Sequence, residues 1–435
     1  MKSTFAITAS VFTGFLCLTI CDSARADETA THLLGDWGGI HSLLEERGLN
    51  LQANYVNEVS SNIAGGVERD TVYADQFFFG GSLDFERAIG LPGTKWVFSL
   101  SNRNGDNLAQ KADLQTLLLV DEVWGQGSYT RLNQFYLEQT LFNSAIDLKF
   151  GRMTGSGDFM PFTCAFQNQT FCGTLPAYVV PNWVPFPGST WAGILRVNFN
   201  GGFYAQAGAY EVNPAFARHQ YTFAFGKPFG GQGERYVLEG GWISQNSEAP
   251  GAYRLGTWYD NVGGADLFLN EMGRPLALDG GSALQRSHQG GFYAMAQQRL
   301  WTGGTATVRT FDLFANLVQA DSHVSLKDQI VEIGFFMKGA LSWRPQDQVG
   351  FAVGRVHVSD QASAGQQLFN YEVAPILGLP EQAVQHAEYP AELFYSVAVT
   401  PAVSIQPNVQ LIRAPGGVSG RSDVVILGLK SVVSF

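Results

Sequence analysis

The chain has 435 residues, a formal net charge of −11 and only 15% charged residues, against 13% aromatics and 50 glycines. Such acidity excludes a nucleic-acid partner, because phosphate binding needs concentrated Lys and Arg. Soluble domains carry about 25% charged residues, so the low value fits a shell that faces lipid, and one barrel can absorb the whole length.

The N-terminus reads as a secretory signal peptide over residues 1–26. Lys2 supplies the charge, residues 5 to 20 are mostly apolar, and Ala24-Arg25-Ala26 offers a cleavage site before Asp27. A lipoprotein reading of Cys21 is disfavoured by Ile20, which is bulky where that signal wants a small residue. Cys17 and Cys21 leave with the leader. The remaining pair, Cys164 and Cys172, sits in an exported chain, where a disulfide is the simple reading and two free thiols the alternative. Residues 27–48 form a periplasmic lead-in. In it, Gly35-Asp36-Trp37-Gly38-Gly39 precedes an amphipathic stretch, His41 to Gly48, that predicts one or two helical turns ending at Gly48.

From residue 49 to 435 the hydrophobic period is two. No mature stretch resembles a transmembrane helix, and the long charge-free run Phe159 to Leu195 is interrupted by five prolines. Strands are expected at 49–60, 73–85, 94–104, 131–139, 145–153, 190–199, 202–212, 235–244, 251–259, 290–300, 308–320, 330–343, 348–358, 390–400, 402–413 and 424–435. That is about 16 strands, an even number, as a bacterial barrel with both termini in the periplasm requires. In the first, Leu51, Ala53 and Tyr55 share one face while Asn50, Gln52, Asn54 and Glu58 share the other. In the twelfth, Val331, Ile333, Phe335 and Met337 oppose Glu332 and Lys338. The last strand ends on Phe435, an aromatic that fits a barrel-assembly signal, and should seal against the first so that no edge stays open.

A charge on the lipid side costs roughly 2–4 kcal/mol at the midplane, so charged residues must face a wet interior. Arg103 lies opposite Trp96, Phe98 and Leu100, and by the same parity Glu138, Lys149, Arg196, Glu239, Arg254 and Glu332 face inward. Arg152 shares the parity of Ile146, Leu148 and Phe150. It joins the pore-lining candidates only through a kink at Gly151 or its place at the strand end. Arg103 and Arg196 lead this set, with a plain solvated wall as the alternative for each member. Trp191, Trp301, Trp343 and Tyr395 fit interfacial girdles, whereas Trp124, Trp183 and Tyr204 are candidates for stacking on sugar rings.

Several motifs then resemble the carbohydrate-selective porin (OprB) family over essentially the whole mature chain. They are Leu34-Gly35-Asp36-Trp37-Gly38-Gly39, Leu43 to Gly48, Leu148-Lys149-Phe150-Gly151-Arg152, Cys164 to Gly173, and Glu392 to Gly417 with Thr400-Pro401, Ile405-Gln406-Pro407-Asn408 and Pro415-Gly416. The resemblance implies an all-β transmembrane antiparallel barrel in a Gram-negative outer membrane, passing carbohydrates, often glucose or other monosaccharides, by passive diffusion. Outer-membrane lipid, the barrel-assembly machinery and a homotrimer are the partners it brings into view.

Topology adds one expectation. With a periplasmic N-terminus, the connection after strand five, Thr154 to Ser189, is the third external loop, which in general porins folds into the barrel. Prolines and a disulfide suit a loop that must keep its shape; an extracellular flap pinned by the same cysteines is the alternative. An enzyme is disfavoured by the lack of a G-x-S-x-G or H-E-x-x-H motif. No ligand-spaced histidine pair or phosphate loop suggests a metal or cofactor. A non-conducting barrel is disfavoured because about 16 strands leave an aqueous channel. A channel for sugar acids or other small organic solutes stays open. Intact-mass measurement of exported protein should show Asp27 as the first residue and no alkylatable thiol before reduction; a lipid adduct on Cys21 would overturn this reading.

Overall fold

The computed structural model describes residues 32–435 except 126, 156, 227–230 and 305–307; the expected leader and cleavage site lie outside the described residues. The strands are β1 (Leu49–Ala64), β2 (Thr71–Asp84), β3 (Thr94–Gly105), β4 (Thr130–Leu141), β5 (Ile146–Met153), β6 (Thr190–Asn198), β7 (Phe203–Val212), β8 (Gly233–Ile243), β9 (Gly251–Asp260), β10 (Ala265–Asn270), β11 (Ala283–Gln285), β12 (Gln289–Gly303), β13 (Arg309–Ala320), β14 (Lys327–Lys338), β15 (Gln348–Val358), β16 (Ala387–Thr400), β17 (Val403–Arg413) and β18 (Val424–Ser434). All but β10 and β11 form one closed ring of antiparallel neighbours, β18 returning to β1. The sixteen expected strands are therefore present. The separate β10–β11 pair and a helix over Asp360–Leu368 are additions, both in long connections where a period-two reading has nothing to count.

Closure puts Asn54 opposite Ser434 and Glu58 opposite Lys430. The chain ends reinforce the seam. Leu33 N–H donates to Ser434 O at 2.8 Å and Phe435 N–H to Ala53 O at 2.9 Å, while the Phe435 ring lies 6.4 Å from that of Phe77 on β2. Just before β1 a helix, Ile40–Glu46, starts under Asp36, whose Oδ1 accepts from Ser42 N–H and Oγ–H at 2.8 and 2.9 Å. Those two bonds hold the Asp36 carboxyl below its ordinary range.

Connections at one end of the ring are short, such as 142–145, 199–202 and 401–402; those at the other include 106–129, 154–189, 213–232, 261–288 and 359–386. At the short end Asp347 fixes one turn, accepting from Arg344 Nε at 2.8 Å, Tyr395 Oη–H at 2.6 Å and Ala398 N–H at 3.0 Å. Burial works to raise this carboxyl, and the bonds outweigh it and hold it low.

Outward residues are exposed and apolar, as Leu238, Leu255, Ile333 and Leu429 illustrate, and the residues between them are buried and largely polar. Glycine on the inward face makes room for aromatic rings from the next strand. A Cβ at Gly256 would overlap the Tyr293 ring, and one at Gly241 the Tyr204 ring, a pairing of ring over glycine that stiffens curved sheets. Replacing Phe435 with Asp removes the ring from the β1–β2–β18 seam and puts a charge beside Phe77. The fraction of heat-modifiable, folded protein should fall severalfold, and an unchanged fraction would contradict the seam role.

Candidate functional site

Strand register sorts the candidate residues. Lys95, Glu138 and Lys149 lie side by side across β3, β4 and β5. Arg196 aligns with Gln206 and that with Glu239 across β6, β7 and β8. Arg254, Met295, Asn316 and Glu332 continue the same face across β9, β12, β13 and β14. With Arg103, which donates through Nε to Gln76 at 2.7 Å, seven of the eight candidates point into the ring.

Two long connections enter the ring and bond to this inward face. In 154–189 the disulfide Cys164–Cys172 closes a small loop, its Cα atoms 4.2 Å apart. On one side of the ring Met160 N–H donates to Glu239 Oε2 at 2.9 Å, and Asp158 pairs with Lys149 at 2.7 Å. On the other side Gln167 N–H and Asn168 N–H donate to the two oxygens of Glu392 on β16, at 2.9 and 2.7 Å. Lys430 on β18 donates to the carbonyls of Cys164 and Phe166 at 3.0 and 3.1 Å. The loop thus spans from the β5–β8 wall to the β16–β18 wall.

Connection 106–129, which carries no periodic signal, enters as well. Val123 N–H donates to Glu58 Oε2 at 3.2 Å, Leu117 N–H to Glu388 Oε2 at 2.9 Å, and Asp121 accepts from Ser60 Oγ–H. The two loops also meet each other, through Glu122 N–H to Gln167 O at 2.9 Å and Gln169 N–H to Leu119 O at 3.0 Å. Lys430 sits at the junction, 2.9 Å from Glu122 and 3.3 Å from Glu58, with Arg103 4.0 Å from Glu122. Glu58, Glu392 and Lys430 were legible in principle, since each has inward parity on its strand, whereas Glu388 lies just before the expected strand 390–400. Asp121 and Glu122 carried no periodic signal.

A second network lies under the loop on the β7–β12 wall. Glu239, 3% exposed, accepts from Tyr204 Oη–H at 2.7 Å, Tyr293 Oη–H at 2.8 Å and Gln206 Nε2–H at 2.9 Å. Arg254 Nε donates to the Tyr204 oxygen at 3.1 Å, and the Arg196 guanidinium lies 3.7 Å from the Tyr204 ring centroid. Tyr204 in the wall and Trp183 in connection 154–189 are therefore committed to these contacts and offer no open ring face, against the stacking expectation; Trp183 is T-shaped against Trp258 at 5.9 Å and covered by Arg235 at 4.0 Å. Arg235 itself forms a two-point pair with Asp260 at 2.6 Å that the sequence reading missed, though both share the inward parity.

Burial splits the candidates. Arg103, Lys149, Glu239 and Glu332 are buried. Glu138, Arg196 and Arg254 stay half-buried on the wall toward the short-turn end, as do Asn50, Gln52 and Lys338.

Arg152 is corrected. Its backbone neighbours are Phe135 on β4 and Trp191 on β6, both on the outward face, so Gly151 at φ +149° does not carry it inward. Residues 216–225 of the next long connection lie over this stretch, Phe225 packing on Phe135 and Trp191 at 5.0 and 6.4 Å. Beneath it Arg152 Nη2 donates to Ser189 O at 2.8 Å and Nη1 to Ala224 O, with the Phe216 ring 4.0 Å from the guanidinium. Loop carbonyls and an aromatic face replace water there, which is why a cation survives on the outward side.

A closed ring of sixteen strands, apolar outside and polar within, with its interior partly occupied by long loops from one end, defines an outer-membrane channel protein of the porin class. The short-turn end is then periplasmic and the long-loop end external. The family model for the carbohydrate-selective porin, OprB family, matches residues 68–435, and the chain belongs to that family. It is 34% identical to Porin B of Pseudomonas aeruginosa over 418 residues, 93% of this chain and 91% of that protein. The high-pH structure of Pseudomonas putida OprB superimposes with a TM-score of 0.89 at 33% identity, covering 93% of this chain and 99% of that one. The low-pH structure of Pseudomonas putida OprB gives a TM-score of 0.58 at 25% identity.

Replacing Arg152 with Ala leaves loop carbonyls unpaired, a loss of about 1–3 kcal/mol. The temperature of heat modification should fall while the cation-to-anion permeability ratio stays that of the parent; a changed ratio would return Arg152 to the lumen.

Proposed function

We propose that this outer-membrane porin passes neutral monosaccharides such as glucose by diffusion, and that its selectivity is set where loops 106–129 and 154–189 meet the inward charges. The observation that carries this is the bridging of the ring by 154–189 between Glu239 and Glu392. Arg103 shapes the narrowing, because its donors are engaged with Gln76 and with the carbonyl of Glu122 at 3.4 Å. Arg196 is the contact residue: it is half-buried on the periplasmic side, and of its donors Nε is held by Asn198 Oδ1 at 2.8 Å. Guanidinium donors bond sugar hydroxyls without needing charge on the solute. No chemistry is catalysed on this reading. Residues 1–26 serve as leader and 27–48 as a periplasmic segment, Phe435 serves recognition by the assembly machinery, and the barrel sits in outer-membrane lipid as a homotrimer.

Sugar acids are the second reading, favoured by one feature. Among the described residues the bonds of Arg196 and Arg254 run to Asn198, Tyr204 and Met295 rather than to a carboxylate, so no bonded carboxylate competes with an anionic solute for either guanidinium. Liposome swelling with glucose, gluconate and amino acids separates the two. Arg103→Ala should raise conductance, and Arg196→Ala should weaken glucose discrimination and shift the cation-to-anion ratio toward cations. Leu100→Ala, on the outward face opposite Phe79, should change neither. Parental flux in both arginine variants would sink the assignment.

A further inference from the structure

A loop that runs through the inside of a barrel has no neighbouring strand to pair with its backbone. Its N–H groups need other acceptors, since an unpaired buried donor costs about as much as a lost hydrogen bond. Some of these groups bond between the two loops, and among the described residues the acceptors that the wall supplies share one chemistry. Glu58 accepts from Val123 N–H, Glu239 from Met160 N–H, Glu388 from Leu117 N–H, and Glu392 from both Gln167 and Asn168 N–H. All four carboxylates are at least 97% buried, lie on the inward face of β1, β8 or β16, and reach loop backbone rather than loop side chains.

We infer that these four wall glutamates are positioning residues: they latch the two in-folded loops, and the latch sets how far the channel opens. The second half rests on the reading of those loops as the narrowing. Glu392 is the keystone. It takes two consecutive N–H groups on two different oxygens, beside the stapled Cys164–Cys172 turn. An amide offers one acceptor and turns an NH2 group toward the other N–H, so an isosteric Gln cannot reproduce the contact. Glu239 differs in also being held by two tyrosines and Gln206, which keeps the acceptor in place from the wall side. The latches sit on opposite walls, so losing one frees one side of the loop while the other still holds.

The test uses full-length Glu392→Gln and Glu239→Gln, with Asp312→Asn as control. Asp312 is an inward wall carboxylate that bonds Arg299 on the neighbouring strand at 2.9 Å and is not bonded to the described residues of either loop. Hydrogen exchange of the loop amides around 158–172 reads docking directly. Losing a bond of about 1.4 kcal/mol speeds it about tenfold, and the rate of brief closures in planar bilayers should rise with it. Barrel amides, folded yield and the control should be unchanged. If both Gln variants fold and keep parental exchange and closure rates, the latch is refuted. If barrel amides exchange faster along with the loop, the glutamates only stabilise the wall and the proposal fails. If the loop amides alone speed up but sugar discrimination is parental, the latch stands, and it is the reading of the loops as the narrowing that falls.

Discussion

A strand that crosses a bilayer can leave no backbone hydrogen bond unmade, because hydrocarbon offers no replacement for water. The β1–β18 pairing meets that demand over ten register positions, Asn54–Ser434 to Ala64–Val425, and everything else follows from the ring being shut. Closure fixes which parity faces lipid on every strand at once, since a slip of one residue would turn Leu427 and Leu429 inward and Lys430 outward. It also creates an interior with no free edge. Anything placed inside must then find its partners on the wall's side chains or on another loop, not on the wall's backbone.

The charge distribution answers that second requirement. Glu58, Glu122 and Lys430 meet near Arg103, so the junction of the two loops is built from alternating signs. Burying such charges is costly, and the cost is offset only where geometry is good and the remaining lone pairs and protons are used. Lys430 shows the condition satisfied: two carboxylates and two loop carbonyls surround one ammonium group. Glutamate facing loop N–H groups satisfies it in the other sign. The loops and the wall are thus mutually required, the wall charges being tolerable only because the loops are there. Arg152 shows the same logic outside the ring, where loop 213–232 supplies the carbonyls.

The fold was legible because period two is strong in segments such as Val331–Met337, where every outward residue is apolar. Parity alone placed Arg103, Glu138, Lys149, Arg196, Glu239, Arg254 and Glu332 on the inward face. It failed to say which of them water reaches, because burial depends on loops that have no period. Arg103 and Arg196 have equal parity, yet one lies beneath Glu122 and Phe186 and the other remains accessible. The inward role of 106–129 was invisible for the same reason: Leu117, Val120 and Val123 read as any apolar loop until Glu388, Gln410 and Glu58 are seen to take their backbone groups. Neither a kink at Gly151 nor its place at the strand end turns Arg152 inward, because its backbone stays in register with both neighbours.

A channel for diffusion must hold its shape firmly and its solute weakly, and on the proposed reading the two halves of this lumen divide those tasks. Toward the outside, polar side chains are consumed by the loops. Glu239 alone takes four donors, and Glu392 two backbone N–H groups, which leaves them little capacity for a passing hydroxyl. Toward the periplasm, Arg196, Arg254, Glu138 and Lys338 keep part of their surface free. On the proposed reading, strong, buried bonds define the opening, and the accessible groups meet the solute. Such groups already have water to fall back on, so a sugar that displaces it gains little and leaves readily. On the proposed reading, that separation lets a lumen rich in charged side chains conduct a neutral solute without trapping it.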